Sequence, residues 1–258
     1  MSRFTSGPVL SLAVLALSVG ACSDSGSPSN QSQLNFNLST QAAPIAAGRA
    51  SLAVVSTPET FTDGTNTLIL DQVQLVLREI ELHRAGAVAD CTTGGTDDCE
   101  ELEIGPLLLD VPLGTPGAAR NFSVQLAPGS YDKVEFEIHK ASPSDDAAFV
   151  QAHPELADAS VKVTGTYNGA AFSYIGRFDV EMEFALNPAL VASETAASDL
   201  TLFMDLDPWF RDQGGALVDP SSANSGQPNQ GVVEQSIKSS LEAFEDDDHD
   251  GRNDHGAL

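Results

Sequence analysis

A closely spaced set of acidic residues lies between positions 246 and 254, where the sequence reads DDDHDGRND. Asp246, Asp248, Asp250, Gly251 and Asp254 fit the pattern D-x-D-x-D-G-x-x-D. Alternate residues of a tightly turning loop point inward, so these carboxylates would converge, and a glycine permits the sharp turn between them. Carboxylate oxygens are the ligands that Ca²⁺ prefers. The spacing therefore predicts a calcium-binding loop.

Two further features define this predicted calcium site. Arg252 follows the glycine and would supply its backbone carbonyl, while Asp254 would reach the ion directly or through a water molecule. The twelfth position of the loop is Ala257 rather than a bidentate glutamate, which predicts a weak affinity of roughly 0.1–1 mM. The alternative interpretation is a solvated acidic terminus, because runs of like charge are commonly exposed.

The segment DLDPWFRD contains the single tryptophan, Trp209. An exposed indole ring can stack on a sugar, whereas a lone tryptophan beside a strand more often packs into the core. Four signatures of enzymes are absent: G-x-S-x-G, H-E-x-x-H, the P-loop and the dinucleotide glycine motif. The sequence thus predicts a protein without enzymatic activity. The alternative is a surface carbohydrate-active enzyme or a carbohydrate-binding module.

Two of the three cysteines, Cys91 and Cys99, bracket the polar stretch TTGGTDD. In an oxidising compartment they would form a disulfide across this short loop. The rival interpretation is a metal site with two thiolates, which lacks a second pair of ligands in the sequence.

The first residues have the layout of an export signal. An apolar run of about a dozen residues is too short to span a bilayer and suits a signal peptide over residues 1–21. The VGAC that follows resembles a bacterial lipobox, in which Cys22 becomes the lipid-modified first residue. Residues 22–33 are rich in Ser, Gly and Pro and predict a flexible tether. Ser23 after the cysteine favours the outer membrane, facing either the periplasm or the cell surface.

The charge balance restricts the partners. The formal net charge is −25, so the protein would repel nucleic acid. Apart from the membrane reached through the lipid anchor, the expected partners are metal cations, a basic protein or a glycan. An acidic surface docking on a basic protein of a larger envelope assembly is one form of this hypothesis.

The body of the chain, residues 34–225, has a period of two. Short alternating runs separated by turn residues predict an antiparallel β-sandwich of the immunoglobulin or transthyretin kind, with one or two short helices. The apolar positions change phase between Leu77 and Ile80, which predicts a β-bulge near Arg78 and Glu79. Asn168–Gly169 predicts a hairpin turn.

Two helices interrupt this pattern. Ser144 is a candidate N-cap for a short helix that Pro154 ends. A second helix, over residues 226–244, would place Val233, Ile237, Leu241 and Phe244 on one face against the sandwich. Residues 245–258 would form the acidic tail with the calcium-loop motif.

Two segments echo each other, DQVQLVLREIELHR and YDKVEFEIHK. Each alternates acidic and apolar residues and ends on a histidine followed by a cation. An ancient duplication and chance similarity between two amphipathic strands are both consistent with this pattern.

Together with CEELEIGPLLLDVPL and LTLFMDLDPWFRDQGGALVDP, these segments resemble a family of uncharacterised bacterial lipoproteins with a β-sandwich domain of unknown function. The resemblance extends over about residues 34–244. It implies a sandwich fold and an exported, anchored setting, and it brings no catalytic residue with it. The sequence therefore predicts a lipid-anchored binding or structural module of the bacterial envelope, with weak calcium binding.

Overall fold

The computed structural model describes residues 31–43, 57–86 and 99–255, except for the side chains of residues 99–104 and 120. These residues form two β-sheets with two short α-helices. The strands are β1 (Ser32–Ser39), β2 (Glu59–Thr62), β3 (Thr67–Arg84), β4 (Cys99–Asp110), β5 (Ala119–Leu126), β6 (Gly129–Ile138), β7 (Val161–Tyr167), β8 (Ala170–Gly176), β9 (Val180–Ala192), β10 (Ser198–Met204) and β11 (Leu241–Glu245). The helices are α1 (Ala147–Ala152) and α2 (Gln230–Lys238).

The smaller sheet has the strand order β11-β10-β1-β5, and the larger one has the order β8-β7-β3-β6-β9. Strands β2 and β4 also pair with β3. Pairing is antiparallel throughout the described strands except between β1 and β10, which run parallel. The predicted β-sandwich is therefore confirmed, with one parallel pair that the alternating pattern did not indicate.

Strand β3 organises the larger sheet because it is long enough to pair with four other strands. Its first half pairs with β2 and β7, and its second half pairs with β6 and most of β4. The register shifts between Leu77 and Glu79 against both β4 and β6, which confirms the predicted bulge. Leu75 and Leu77 are buried before the shift, and Ile80 and Leu82 after it. Residues 79, 81 and 83 consequently lie on the face that points away from the core.

The core lies between the two sheets and is filled by the inward residues of each. Phe36 on β1 meets Phe136 on β6 edge to face, with ring centroids 6.0 Å apart. Phe36 also stacks on Phe122 of the neighbouring strand β5 at 4.9 Å. Burial of such rings removes a large apolar area from water, so this layer fixes how the sheets face each other.

The predicted helix over residues 226–244 is too long. Helix α2 ends at Lys238, and Leu241–Glu245 is strand β11, paired with the free edge of β10. Val233 and Ile237 do lie on the buried side of α2. The apolar residues after the helix fit a helical and an extended spacing equally, and the hydrogen-bonding groups of β10 decide in favour of the strand.

Other predicted boundaries shift by smaller amounts. Strand β1 begins at Ser32, so the last two residues of the predicted tether are extended. The N-cap of α1 is Asp146 rather than Ser144. The turn at Asn168–Gly169 joins β7 to β8 as a hairpin, as predicted. Within the described ranges, neither helix has the length and apolar character needed to cross a membrane.

The close approach of β7 to β3 gives a testable prediction. A Cβ atom at Gly165 would lie 1.9 Å from the carbonyl oxygen of Ile69, so Gly165→Ala must push the two strands apart. We expect the free energy of unfolding to fall by about 1–3 kcal/mol, as for other overpacked sites. Chemical denaturation would measure it.

Gly231→Ala is the matched control, because Gly231 lies in α2 with open space around its Cα. Alanine favours a helix, so stability should stay equal or rise by up to about 1 kcal/mol. Equal loss of stability in both variants would contradict the proposed strand contact.

Candidate functional site

The acidic residues predicted to bind calcium form a loop over residues 246–254, which we call the aspartate loop. It begins directly after β11 and packs against the end of β1 and the segment before β5. The backbone of Ala43 donates to the carbonyl of Asp250 at 2.6 Å, and Ala118 donates to His249 at 3.0 Å. These bonds make the loop part of the folded domain, in contrast to the solvated terminus that was the alternative.

Asp246 is the buried anchor of the loop, with no exposed surface. One carboxylate oxygen accepts a hydrogen bond from the backbone of Asp250 at 2.9 Å. The other accepts from the backbone of Gly251 at 3.0 Å and from the hydroxyl of Thr201 on β10 at 3.1 Å. Burial raises the pKa of Asp246 to about 6, although these hydrogen bonds act in the opposite direction.

Three of the predicted ligands converge. Asp246, Asp248 and Asp254 each present a carboxylate oxygen, and these oxygens lie within 4.8 Å of one another. Calcium binds oxygen at 2.3–2.6 Å, so the oxygens around one ion are separated by up to about 5 Å. The three carboxylates are therefore spaced to share a calcium ion.

The other two predicted residues pair with each other. The guanidinium of Arg252 lies 3.0 Å from one oxygen of Asp250, and its backbone donates to the other oxygen at 2.8 Å. The same guanidinium donates to the carbonyl of Ala43. The sequence predicted a role for the backbone carbonyl of Arg252 and missed its side chain, which pairs with Asp250. Asp250 is not among the three carboxylates that converge.

Gly251 occupies the turn for which a glycine was predicted. Its φ angle is 77°, in the left-handed region that favours glycine. A Cβ atom there would also lie 2.6 Å from the hydroxyl of Ser39 on β1. The glycine thus serves both the turn and the close contact between the loop and the sheet.

Two histidines, one within the loop and one directly after it, contact carboxylates. His255 lies 2.9 Å from Glu245, and His249 lies 3.7 Å from Asp199 on β10. Burial raises the pKa of Glu245, and the contact with His255 acts against this shift. Burial and the nearby Asp254 raise the pKa of Asp247 as well. The carboxylates of this region are crowded, which favours the binding of a cation.

A second group of acids lies on the outer face of the larger sheet, and we call it the glutamate face. It consists of two rows that cross β3, β6 and β9, namely Glu79, Glu137 and Glu181 in one row and Glu81, Glu135 and Glu183 in the other. Five of the six, all except Glu183, line a cavity of about 150 Å³. Burial, followed by the hydrogen bond that protonated Glu135 donates to Glu181, raises the pKa of Glu135 to about 7.

The sequence indicated the two acidic segments of this face but did not predict that they pair with each other. The echoing segments are β3 and β6, which are antiparallel neighbours in the sheet. Their alternating acids were visible in the sequence. Their register was not, because it depends on pairing between residues more than fifty positions apart.

Trp209 lies in the core, with no exposed surface. Its indole nitrogen donates to the hydroxyl of Ser240 at 2.6 Å. The hypothesis that this ring stacks on a sugar is therefore wrong, and the alternative of core packing is confirmed. The turn after β10 brings the ring inward, where burial of its large apolar area stabilises the fold.

The cysteines mostly lie outside the described residues. This applies to Cys22, the predicted lipid anchor, and to Cys91. Cys99 begins β4, but its side chain is also outside the described part of the chain. The disulfide between Cys91 and Cys99 stays a prediction.

Comparisons with known proteins do not identify a family for this chain. No protein-family model and no curated protein matches the chain. Among solved structures, the chain is similar to MbnP from Methylosinus trichosporium, with 14% sequence identity and a TM-score of 0.36. The match covers 79% of this chain and 86% of that one. The resemblance to envelope lipoproteins thus rests on the sequence segments quoted above.

The bond from Thr201 to Asp246 gives a test of the docked loop. Thr201→Val keeps the shape of the side chain and leaves a buried carboxylate oxygen with one donor fewer. We expect the free energy of unfolding to fall by about 1–3 kcal/mol, measured by urea denaturation in calcium-free buffer.

Thr166→Val is the control, since Thr166 is a half-buried strand residue of β7, in the other sheet. It should change stability by less than about 0.5 kcal/mol. A neutral effect of Thr201→Val would contradict the anchoring role of Asp246.

Proposed function

We propose that this protein is an exported, lipid-anchored binding or structural module of the bacterial envelope that binds calcium through the aspartate loop. The observation that carries the calcium proposal is the convergence of Asp246, Asp248 and Asp254 on a loop that the sandwich itself holds in place. The fold supplies the scaffold, and the loop supplies the oxygen ligands.

The donor set favours calcium over softer cations. All three converging groups are carboxylates, and hard cations such as Ca²⁺ prefer oxygen ligands. Asp248 and Asp254 are exposed, which gives the ion access and leaves room for water in the remaining coordination positions. With three protein carboxylates, the expected affinity is in the weak range of extracellular modules, roughly 0.1–1 mM.

The envelope setting rests on the start of the chain. The apolar run, the VGAC motif and the polar tether describe a lipoprotein in which Cys22 carries the acyl chains. Several acyl chains anchor a protein stably, because each buried methylene contributes about 0.8 kcal/mol. The tether then separates the sandwich from the membrane surface.

A role without catalysis is the interpretation that we favour. Trp209, the ring expected to hold a sugar in the alternative role, is buried, so nothing in its position favours a carbohydrate-active enzyme or a carbohydrate-binding module. The net charge of −25 favours a basic protein as partner and disfavours nucleic acid.

The calcium proposal is tested by titration calorimetry. The native chain should bind one calcium ion with an affinity of roughly 0.1–1 mM. Asp248→Asn combined with Asp254→Asn should abolish the signal, because it removes two of the three converging charges. Asp250→Asn should keep binding, since this carboxylate pairs with Arg252.

The control for charge is Asp71→Asn combined with Asp132→Asn, two exposed residues of the larger sheet. This variant has the same net charge as the loop variant and should bind calcium as the native chain does. Absence of binding to the native chain at millimolar calcium, or equal loss in both double variants, would show that the loop is not a calcium site.

The anchor is tested by cell fractionation. Cys22→Ser removes the sulfur that would carry the lipid, so the protein should move from the membrane fraction to the soluble periplasmic fraction. Cys91→Ser is the matched control and should stay with the membrane. If Cys22→Ser also stays with the membrane, the lipobox interpretation is wrong.

A further inference from the structure

One corner of the glutamate face combines acids with a histidine. His83 is the last outward residue of β3 before Arg84, and Glu81 precedes it on the same face. Glu135 lies on β6 directly opposite Glu81. His83 is more than nine-tenths buried, with 9% of its surface exposed. An imidazole and two carboxylates are thus held together on two paired strands.

The distances within this group suit a bound ion. The Nε2 atom of His83 lies 3.8 Å from an oxygen of Glu81 and 3.8 Å from an oxygen of Glu135. Both distances exceed the usual length of a hydrogen bond. Ligands bound to one small cation at about 2.0–2.2 Å in a tetrahedral arrangement are about 3.4 Å apart. The three ligand atoms all lie within 4.8 Å of one another, so side-chain movements of up to about 1 Å would bring all three into coordination.

We propose that Glu81, His83 and Glu135 form a binding site for a divalent transition-metal cation of the zinc type. Imidazole nitrogen with carboxylate oxygen is a donor set that suits Zn²⁺ and its neighbours in the first transition row. Calcium prefers oxygen ligands alone, so the histidine distinguishes this site from the aspartate loop. Three protein ligands leave a fourth position for water or for a group on a partner.

The scaffold holds these ligands in position without the ion. Glu81 and Glu135 occupy paired positions in a regular ladder, and His83 is two residues from Glu81 on the same strand. Because of the bulge at Leu77–Glu79, the odd-numbered residues of the second half of β3 point away from the core, and Glu81 and His83 therefore lie on the same outer face. Ligands on paired strands are placed more precisely than ligands on loops.

The surrounding charge also favours a cation. In each row of the glutamate face, carboxylates stand opposite one another on neighbouring strands, which destabilises a sheet. Lys133 on β6 is paired with His83 on β3, and its ammonium lies 2.9 Å from Glu183, at the end of the row that contains Glu81 and Glu135. This one cation offsets only part of the negative charge of the six glutamates. A divalent ion at the other end of that row would lower the repulsion among the remaining carboxylates.

The site is independent of the calcium proposal. It lies on the larger sheet, uses a different donor set and has no residue in common with the aspartate loop. Calcium-saturated protein therefore provides the right background for its test. A chain that binds calcium but not zinc would contradict only the zinc proposal. A chain that binds zinc but not calcium would contradict only the calcium proposal.

The test is a calorimetric titration of the purified, calcium-saturated chain with zinc. We expect one saturable zinc site per chain. His83→Gln and the double variant Glu81→Gln with Glu135→Gln should each weaken zinc binding by at least about 100-fold. Circular dichroism and melting curves check the fold. The double variant should remain folded, because it removes two facing negative charges.

His139→Gln is the matched control, because His139 also contacts two carboxylates, Glu137 at 3.1 Å and Asp179 at 3.4 Å. It should bind zinc as the native chain does. Cobalt serves as a second probe, and its visible absorption should be lost in the His83 variant. Absence of saturable zinc binding at millimolar zinc, or equal losses on changing His83 and His139, would overturn the proposal.

Discussion

The bulge between Leu77 and Glu79 in β3 is the constraint on which the outer face of the larger sheet depends. The strand has eighteen residues and pairs with four neighbours, so its phase is transmitted to most of the sheet. At the bulge between Leu77 and Glu79, the inward positions change from odd to even numbers. Without that shift, the glutamates and the histidine in the second half of β3 would point into the core, where burying a charge without a partner is strongly unfavourable.

The two candidate cation sites are built in different ways. The aspartate loop is local, since its ligands lie within nine residues and need only a turn and an anchor. That anchor is nevertheless tertiary, because Asp246 is held by Thr201 on β10 and the loop backbone by Ala43 beyond β1. The site on the glutamate face is non-local, because Glu135 joins Glu81 and His83 only through the pairing of β3 with β6.

An excess of negative charge connects both sites. A chain with a net charge of −25 must place many carboxylates near one another, and the fold concentrates them at two points. The largest of the shifts caused by burial raise the pKa of Asp246 to about 6 at the aspartate loop and the pKa of Glu135 to about 7 on the glutamate face. Both pKa shifts arise because burial disfavours the ionised carboxylate. A bound cation would stabilise that ionised form.

The sequence by itself determined what local periodicity and spacing can encode. The alternation of apolar and polar residues predicted the strands, and the change of phase predicted the bulge. Gly251 predicted the turn of the aspartate loop. Tertiary structure decided the rest. Leu241–Glu245 forms a strand because it pairs with the edge of β10. Asp250 pairs with Arg252, and Trp209 packs in the core. Each outcome depends on contacts between distant residues, and their energies exceed the weak local preferences that a pattern records.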